Sequence, residues 1–137
     1  MSDAPIPTLL AMLLCDQIII EAGSGKKTLV GLFDSMHPPE VPFMLPSMWV
    51  YARLSDAEGS YVFKAEIVHL DEDKIVGTAQ TAPITAPHRL GFVDLTLQLQ
   101  MVPFVKFGKY EFQLHANGIY IGRSTLTVQK GPRPDLR

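Results

Sequence analysis

Apolar and polar residues alternate with period two along the last long stretch of the chain. Tyr110, Phe112, Leu114 and Ala116 are separated by Glu111, Gln113 and His115 and preceded by Lys109, which is the pattern of a half-buried strand. Asn117-Gly118 follows, two residues that tolerate the positive φ of a type I′ turn, and Ile119 to Val128 returns as the second strand of a hairpin. A two-residue loop leaves little choice of register, so Ala116 is expected opposite Ile119 and Leu114 opposite Ile121. Leu126 and Val128 have the opposite parity to Ile119 and Ile121, and one face cannot hold both sets. The spacing therefore predicts a β-bulge at Gly122-Arg123, where one extra residue resets the alternation.

The rest of the chain divides in the same way. Leu9 to Glu21 is almost continuously apolar and ends in the β-branched run Ile18-Ile19-Ile20, which favours a strand, broken or kinked near Cys15-Asp16. A helix over Thr8 to Leu14 competes, because Leu-Leu-Ala-Met-Leu-Leu contains good helix formers. Gly23 to Lys27 is turn material, and Thr28 to Phe33 resumes as a strand. Residues 34 to 47 carry four prolines and are expected to cross between sheets without forming a central strand. Met48 to Leu54, Tyr61 to Leu70 and Lys74 to Thr78 make a meander, with Tyr61, Phe63, Ala65 and Ile67 on one face. Ala79 to Arg89 is a second connection. Beyond it Val93, Leu95, Leu97, Leu99 and Met101 form a dry face, and Asp94, Thr96, Gln98 and Gln100 a wet one. About eight short strands at this turn spacing predict an all-β chain, an antiparallel two-sheet β-sandwich that is immunoglobulin-like in the broad sense. Residues 1–137 are expected to form a single domain with an extended lead-in over 1–8 and a polar tail over 131–137.

Composition narrows the function classes. Fourteen acidic and twelve basic residues give a formal net charge of -2, so the chain as a whole has no attraction for nucleic acid phosphates or an anionic membrane surface. Neither is expected as a partner. The single cysteine, Cys15, excludes an intramolecular disulfide and reads as a small buried hydrophobe. The first residues lack the basic region and small cleavage residues of a leader, and no stretch approaches a membrane span, so a cytoplasmic location is expected.

Candidate chemistry is sparse. Gly23-Ser24-Gly25-Lys26-Lys27-Thr28 superficially suggests a phosphate loop, but Ile20 stands where the first glycine belongs and Lys27 where the hydroxyl belongs, and a strand follows. Asp56 and Glu58 in one turn, and Asp71, Glu72 and Asp73 in another, lack the spacing of a calcium loop and read as solvated acids. His37, His69, His88 and His115 show no metal-ligand spacing with one another or with Cys15. No nucleophile elbow occurs. No catalytic residue, metal or cofactor is therefore assigned.

Two signatures together, Cys15-Asp16 with Gly25 to Asp34, and Gly108-x-Tyr110-x-Phe112-x-Leu114 with Asn117-Gly118 and Ile121-Gly122, resemble a family of small uncharacterised bacterial proteins classed as a domain of unknown function. The resemblance implies a compact β domain without an established activity. The favoured reading is a non-enzymatic module that contacts a protein partner, or copies of itself, through a sheet edge or the apolar crossover containing Met36, Val41, Phe43, Met44 and Leu45. The alternative is a small-ligand or carbohydrate binder using Trp49, Tyr51, Tyr61 and Tyr120 as platforms. An enzyme ranks last.

Overall fold

The computed structural model describes residues 4–131. Eleven strands run in chain order: β1 (Thr8–Ile20), β2 (Lys27–Leu32), β3 (Ser35–Met36), β4 (Phe43–Ser55), β5 (Gly59–Tyr61), β6 (Phe63–His69), β7 (Lys74–Gln80), β8 (Ile84–Ala86), β9 (Val93–Phe104), β10 (Gly108–Ala116) and β11 (Ile119–Val128). They build a four-stranded sheet ordered β2-β1-β4-β9, a five-stranded sheet ordered β3-β11-β10-β6-β7, and a small ribbon of β5 and β8. Every pairing is antiparallel except the short parallel contact of β3 with β11. Among the described residues no helix is long and apolar enough to cross a membrane. Of the expected lead-in, residues 4–7 are described and Thr8 already belongs to β1; of the expected tail, only Gly131 is described.

The architecture is an all-β sandwich. Met12, Leu14, Met48, Val50, Ala52, Leu54, Leu95 and Leu99 from the first sheet pack with Phe63, Ile67, Tyr110, Phe112, Leu114, Leu126 and Val128 from the second in one buried cluster. Their alternation along each strand points one row of apolar side chains inward. Burial of large aromatic and branched groups of this kind supplies the main driving force for folding.

Four details differ from the sequence expectations. The short strands β3, β5 and β8 raise the count to eleven. The stretch from Thr8 to Leu14, by contrast, is the expected strand and not the competing helix, because its backbone pairs with β4 from Ser55 to Val50, and tertiary pairing outweighs local helix propensity. The proline-rich crossover is shorter than 34–47: Ser35–Met36 pairs with β11, and Phe43 to Ser47 opens β4 beside β9. Pro46 is tolerated because β1 leaves β4 at Trp49, so this part of β4 has only β9 beside it, and Pro46 itself falls in a gap between the pairs Leu45–Val102 and Ser47–Gln100. Met101 lies opposite that gap with φ 54° and is 60% exposed. It is therefore not on the dry face; the reversal at Met101 turns Val102 and Phe104 inward instead.

The fourth difference is the hairpin bulge. Ala116 pairs with Ile119 and His115 with Tyr120, but Leu114 pairs with Gly122, leaving Ile121 as the extra residue. The irregularity is thus nearer the turn than Gly122-Arg123, and Leu114 does not face Ile121. Gly122 serves another contact: a Cβ there would collide with the side chain of Leu9, so the absent side chain lets β1 approach β11. One step on, the Ser124 hydroxyl donates to the Met12 carbonyl, closing that side of the sandwich.

Two buried tyrosines fasten the ends. Tyr61 Oη donates to the Pro5 carbonyl at 2.6 Å and accepts from the Glu58 amide at 3.0 Å. Tyr110 Oη donates to the Lys106 carbonyl at 2.6 Å, and its ring stands edge-on to His69 and Phe104. Asn117 does more than turn the hairpin. With φ 49° at Asn117 and 83° at Gly118 the turn is the expected one, while Asn117 Oδ1 accepts from the Val62 amide at 2.9 Å and Nδ2 donates to the Ser60 carbonyl at 3.2 Å. Asn117→Gly keeps the positive φ but removes both bonds. Urea denaturation should show a loss of about 1–3 kcal/mol; an unchanged midpoint would mean that the turn conformation is the whole role of Asn117.

Candidate functional site

The geometry that gathers functional side chains begins in β1. Its first part, Thr8 to Cys15, pairs with β4, and its second part, Cys15 to Ile20, pairs with β2, so Cys15 alone has a partner on both sides, Trp49 and Leu32. At this handover Gly31 takes φ 71°, and a Cβ on it would overlap the Asp16 carboxylate. Glycine is required there by both conformation and space. Beyond the break, the far end of the β1–β2 hairpin lies over the outward face of β4 and β9. In a flat sheet β2 and β9 would be separated by three strand spacings, about 14 Å, yet Lys27 Nζ is 3.5 Å from Asp94 Oδ2.

Between the hairpin end and the sheet is a groove of about 510 Å³, lined by Ser24, Gly25, Lys26, Lys27, Leu29, Tyr51, Arg53 and Asp94. Arg53 and Asp94 are cross-strand partners, and their pairing is bidentate: Nε donates to Oδ1 at 2.8 Å and Nη2 to Oδ2 at 3.0 Å. Tyr51 Oη adds a bond to Oδ1 at 3.1 Å. The other side of the guanidinium is occupied by Phe92, whose ring centre is 5.2 Å from Cζ, a cation–π distance. The Arg53 hydrogen bond holds the Asp94 carboxyl below its ordinary value, despite the opposing effect of desolvation. Desolvation, followed by the bond to Asp94, pushes the Tyr51 phenol up. In the loop, Ser24 Oγ donates to Glu21 Oε1 at 2.6 Å and accepts from the Lys26 amide at 3.1 Å, which fixes the backbone that carries both lysines.

A second groove, of about 440 Å³, lies where the chain passes from β2 to β3. Leu13, Leu14, Leu32 and Phe33 form its apolar part, with Asp34, Ser35, Ser124 and Thr125 around it. Leu32 is 58% exposed and Leu13 39%, so both stand at its mouth. A smaller cavity of about 250 Å³ separates the sheet edges β7 and β9, with Gly77 and Met101 on its walls.

The residues singled out from sequence disperse. Tyr61 is buried, with its hydroxyl held by Pro5 and Glu58, and offers no platform. Tyr120 is exposed on β11, edge-on to His115 at 5.8 Å, while Trp49 and Tyr51 are half-buried on β4 in the other sheet. The four aromatics therefore do not form one surface, and of them Tyr51 alone lines one of the three grooves described above. In the crossover, Met36, Phe43 and Leu45 pack against the core, Val41 is half-buried, and Met44 is exposed. The contiguous apolar patch expected there is reduced to its outward-facing members by this packing. Cys15 is buried, and burial pushes its thiol up. His69 is held between the Phe107 carbonyl, 3.1 Å from Nε2, and the Glu72 amide, 3.3 Å from Nδ1. His115 Nε2 lies 3.0 Å from Glu66 Oε1. Among the described residues no three His, Cys, Asp or Glu side chains gather as a metal site.

Sequence reasoning missed Arg53, Asp94 and Lys27 as a group. Asp94 was legible as a residue of the wet face and Arg53 only as part of the strand Met48 to Leu54; the pairing of β4 with β9 makes them neighbours, and the folded-over hairpin brings Lys27 to them.

The fold is an all-β sandwich with grooves on its surface. The chain belongs to a family of unknown function, DUF6941, whose model matches residues 10–129. A search of curated proteins finds no match. Among solved structures the chain is similar to the Pseudomonas fluorescens alkylpurine DNA glycosylase AlkC bound to DNA containing an abasic site analog, at a TM-score of 0.53 and 8% identity, covering 86% of this chain and 30% of that one. At that identity the likeness shows the fold alone. This chain spans less than a third of the glycosylase.

The Arg53–Asp94 pair has a testable pH signature. A carboxyl whose folded pKa is depressed contributes stability above its unfolded pKa of about 3.9 and loses it as pH falls through the lower folded value. Wild type should exceed Asp94→Asn in stability at neutral pH, with the difference shrinking below about pH 4 and vanishing once both states are protonated. Thermal unfolding of both chains across pH measures this; a gap independent of pH would assign the loss to something other than the charge.

Proposed function

We propose that the chain is a non-enzymatic binding module whose partner is a protein, taken up as an extended segment along the free edge of β2. The observation that carries this reading is the composition of that edge. β2 has β1 on one side and ends its sheet on the other, and it presents Val30 and Leu32 to solvent beside the groove containing Leu13 and Phe33. An edge strand leaves a row of unpaired backbone groups, and natural edges are usually blunted by charge, proline, bulges or brevity. The other edges carry such devices: β9 has Pro103 and the reversal at Met101, β7 begins with Lys74 and is irregular beside Ile67 and Val68, and β3 has two residues. β2 carries a lysine at its start and the positive-φ Gly31 near its end, but no proline, and it leaves Val30 and Leu32 exposed along the edge.

Strand addition suits such an edge. Main-chain hydrogen bonds supply affinity and side-chain grooves supply selectivity. The groove beside Leu32 is placed to take one apolar side chain of an added segment. The fold comparison is compatible with a module, since in the glycosylase the matching part is 30% of a longer chain. A protein partner is preferred to nucleic acid because the chain carries more acidic than basic residues overall.

Selection of a random extended-peptide library on the immobilised chain tests this. Enriched peptides should protect backbone amides within Lys27–Leu32 from hydrogen exchange, and Leu32→Lys should weaken them by about tenfold or more, a loss of about 1.4 kcal/mol. Peptides that protect other strands, or that bind Leu32→Lys equally well, would contradict the assignment.

A further inference from the structure

A second, separate site is carried by charge. The groove between the Gly23–Lys27 loop and the outward face of β4 and β9 holds three cations, Lys26, Lys27 and Arg53, against one anion, Asp94. Three minus one leaves a local charge of +2 in a chain whose formal net charge is -2. Glu21, the other acid nearby, is not part of the lining; it keeps its charge while its Oε1 accepts from Ser24. The Asp94 carboxylate already accepts from Arg53 and Tyr51 and faces Lys27. Its acceptor capacity is largely used, while the cations' donor capacity is not. Arg53 has five N–H donors and commits two of them to Asp94. Lys27 spends one on the Gly25 carbonyl at 3.4 Å. Lys26 has no side-chain partner among the described residues.

Cations gathered without matching anions repel one another unless water or a ligand compensates. This cluster is also ordered in advance: Asp94 and Phe92 hold the guanidinium from two sides, and the Glu21–Ser24–Lys26 bonds fix the loop. Arg and Lys together form a recurrent phosphate-binding pair, the first by its fork and the second as a point charge. The remaining walls, Leu29 and the face of Tyr51, are apolar, and the volume of about 510 Å³ lies in the range of small-molecule sites.

We propose that this groove binds a small phosphate monoester with a planar body, its dianionic phosphate among Lys26, Lys27 and Arg53 and its ring against Tyr51 and Leu29. A monoester carries a charge of about −1.5 to −2 at neutral pH, which matches the charge of the lining residues, whereas a carboxylate would offset only half of it. The Gly23–Lys27 loop is thus not a nucleotide-triphosphate loop of the helix-capping kind; its lysines act from side chains over a sheet.

Adenosine monophosphate, adenosine and inorganic phosphate serve as probes in amide chemical-shift titrations of the full chain at low salt. Adenosine monophosphate should shift Ser24–Lys27, Tyr51 and Arg53 saturably, and adenosine should bind at least about tenfold more weakly for loss of the charge-assisted bonds. Inorganic phosphate should shift the loop and Arg53 but not Leu29 or Tyr51. The double variant Lys26→Gln, Lys27→Gln, at the exposed Lys26 and the half-buried Lys27 that opens β2, should keep the wild-type spectrum outside the hairpin end and the facing Asp94 and weaken adenosine monophosphate by about tenfold or more. Equal binding of adenosine and its monophosphate, shifts outside the groove, or an unaffected double variant would overturn the proposal. Tighter binding of a short single-stranded oligonucleotide at the same residues would overturn the small-ligand assignment in favour of a nucleic acid strand.

Discussion

Backbone amides and carbonyls inside a protein must find partners, and β1 meets that demand by serving two neighbours in succession. From Thr8 to Cys15 its partner is β4; from Cys15 to Ile20 it is β2. The handover frees the last part of β1 from the plane set by β4 and β9. Gly31, with positive φ and no side chain to oppose Asp16, permits the change of direction. The consequences reach in both directions along the fold. The hairpin end covers the outward face of β4 and β9, placing Lys27 beside Asp94. The departure of β1 also leaves the start of β4 with a single neighbour, which is why Pro46 can stand in that strand.

The opposite end of β1 has a different task. Leu9 fills the space that Gly122 leaves empty, and the Met12 carbonyl receives the Ser124 hydroxyl, so β1 also joins the two sheets along one side. With Tyr61 and Tyr110 tying the connecting turns to the core, the scaffold is fixed at its ends and along this seam. The free edge of β2 lies on the arm that extends from it, and each groove lies between that arm and the scaffold: one with Leu14 and Ser124 in its walls, the other with Tyr51, Arg53 and Asp94.

The period-two alternation made most of the strands legible, as did the Asn117-Gly118 turn, because those signals depend on neighbours in sequence. Three misplacements have a common cause. The bulge sits at Ile121 because Gly122 is committed to Leu9, a contact across the sandwich. Met101 leaves the apolar face because the pairing is interrupted at Pro46, opposite it. Phe43 to Ser47 is strand because β9, about sixty residues further on, supplies its partner; proline content alone argues the other way. The candidate sites were less legible for the same reason. Lys27, Arg53 and Asp94 come from three strands, and no local spacing relates them. The aromatic residues drew attention by type, yet Tyr61 has a structural role and Tyr120 lies on the other sheet.

Membership in a family of unknown function leaves the chemistry to be argued from these surfaces, and both proposed sites depend on the folded-over hairpin. Zero-length carbodiimide crosslinking of the isolated monomer, followed by peptide mapping, tests that arrangement most directly, because it joins only an amine and a carboxylate already in contact. The structure predicts an amide between Lys27 and Asp94, whose charged atoms are 3.5 Å apart. Crosslinks from Lys27 confined to acids of its own loop, such as Glu21, would contradict it and return the hairpin to the plane of the sheet.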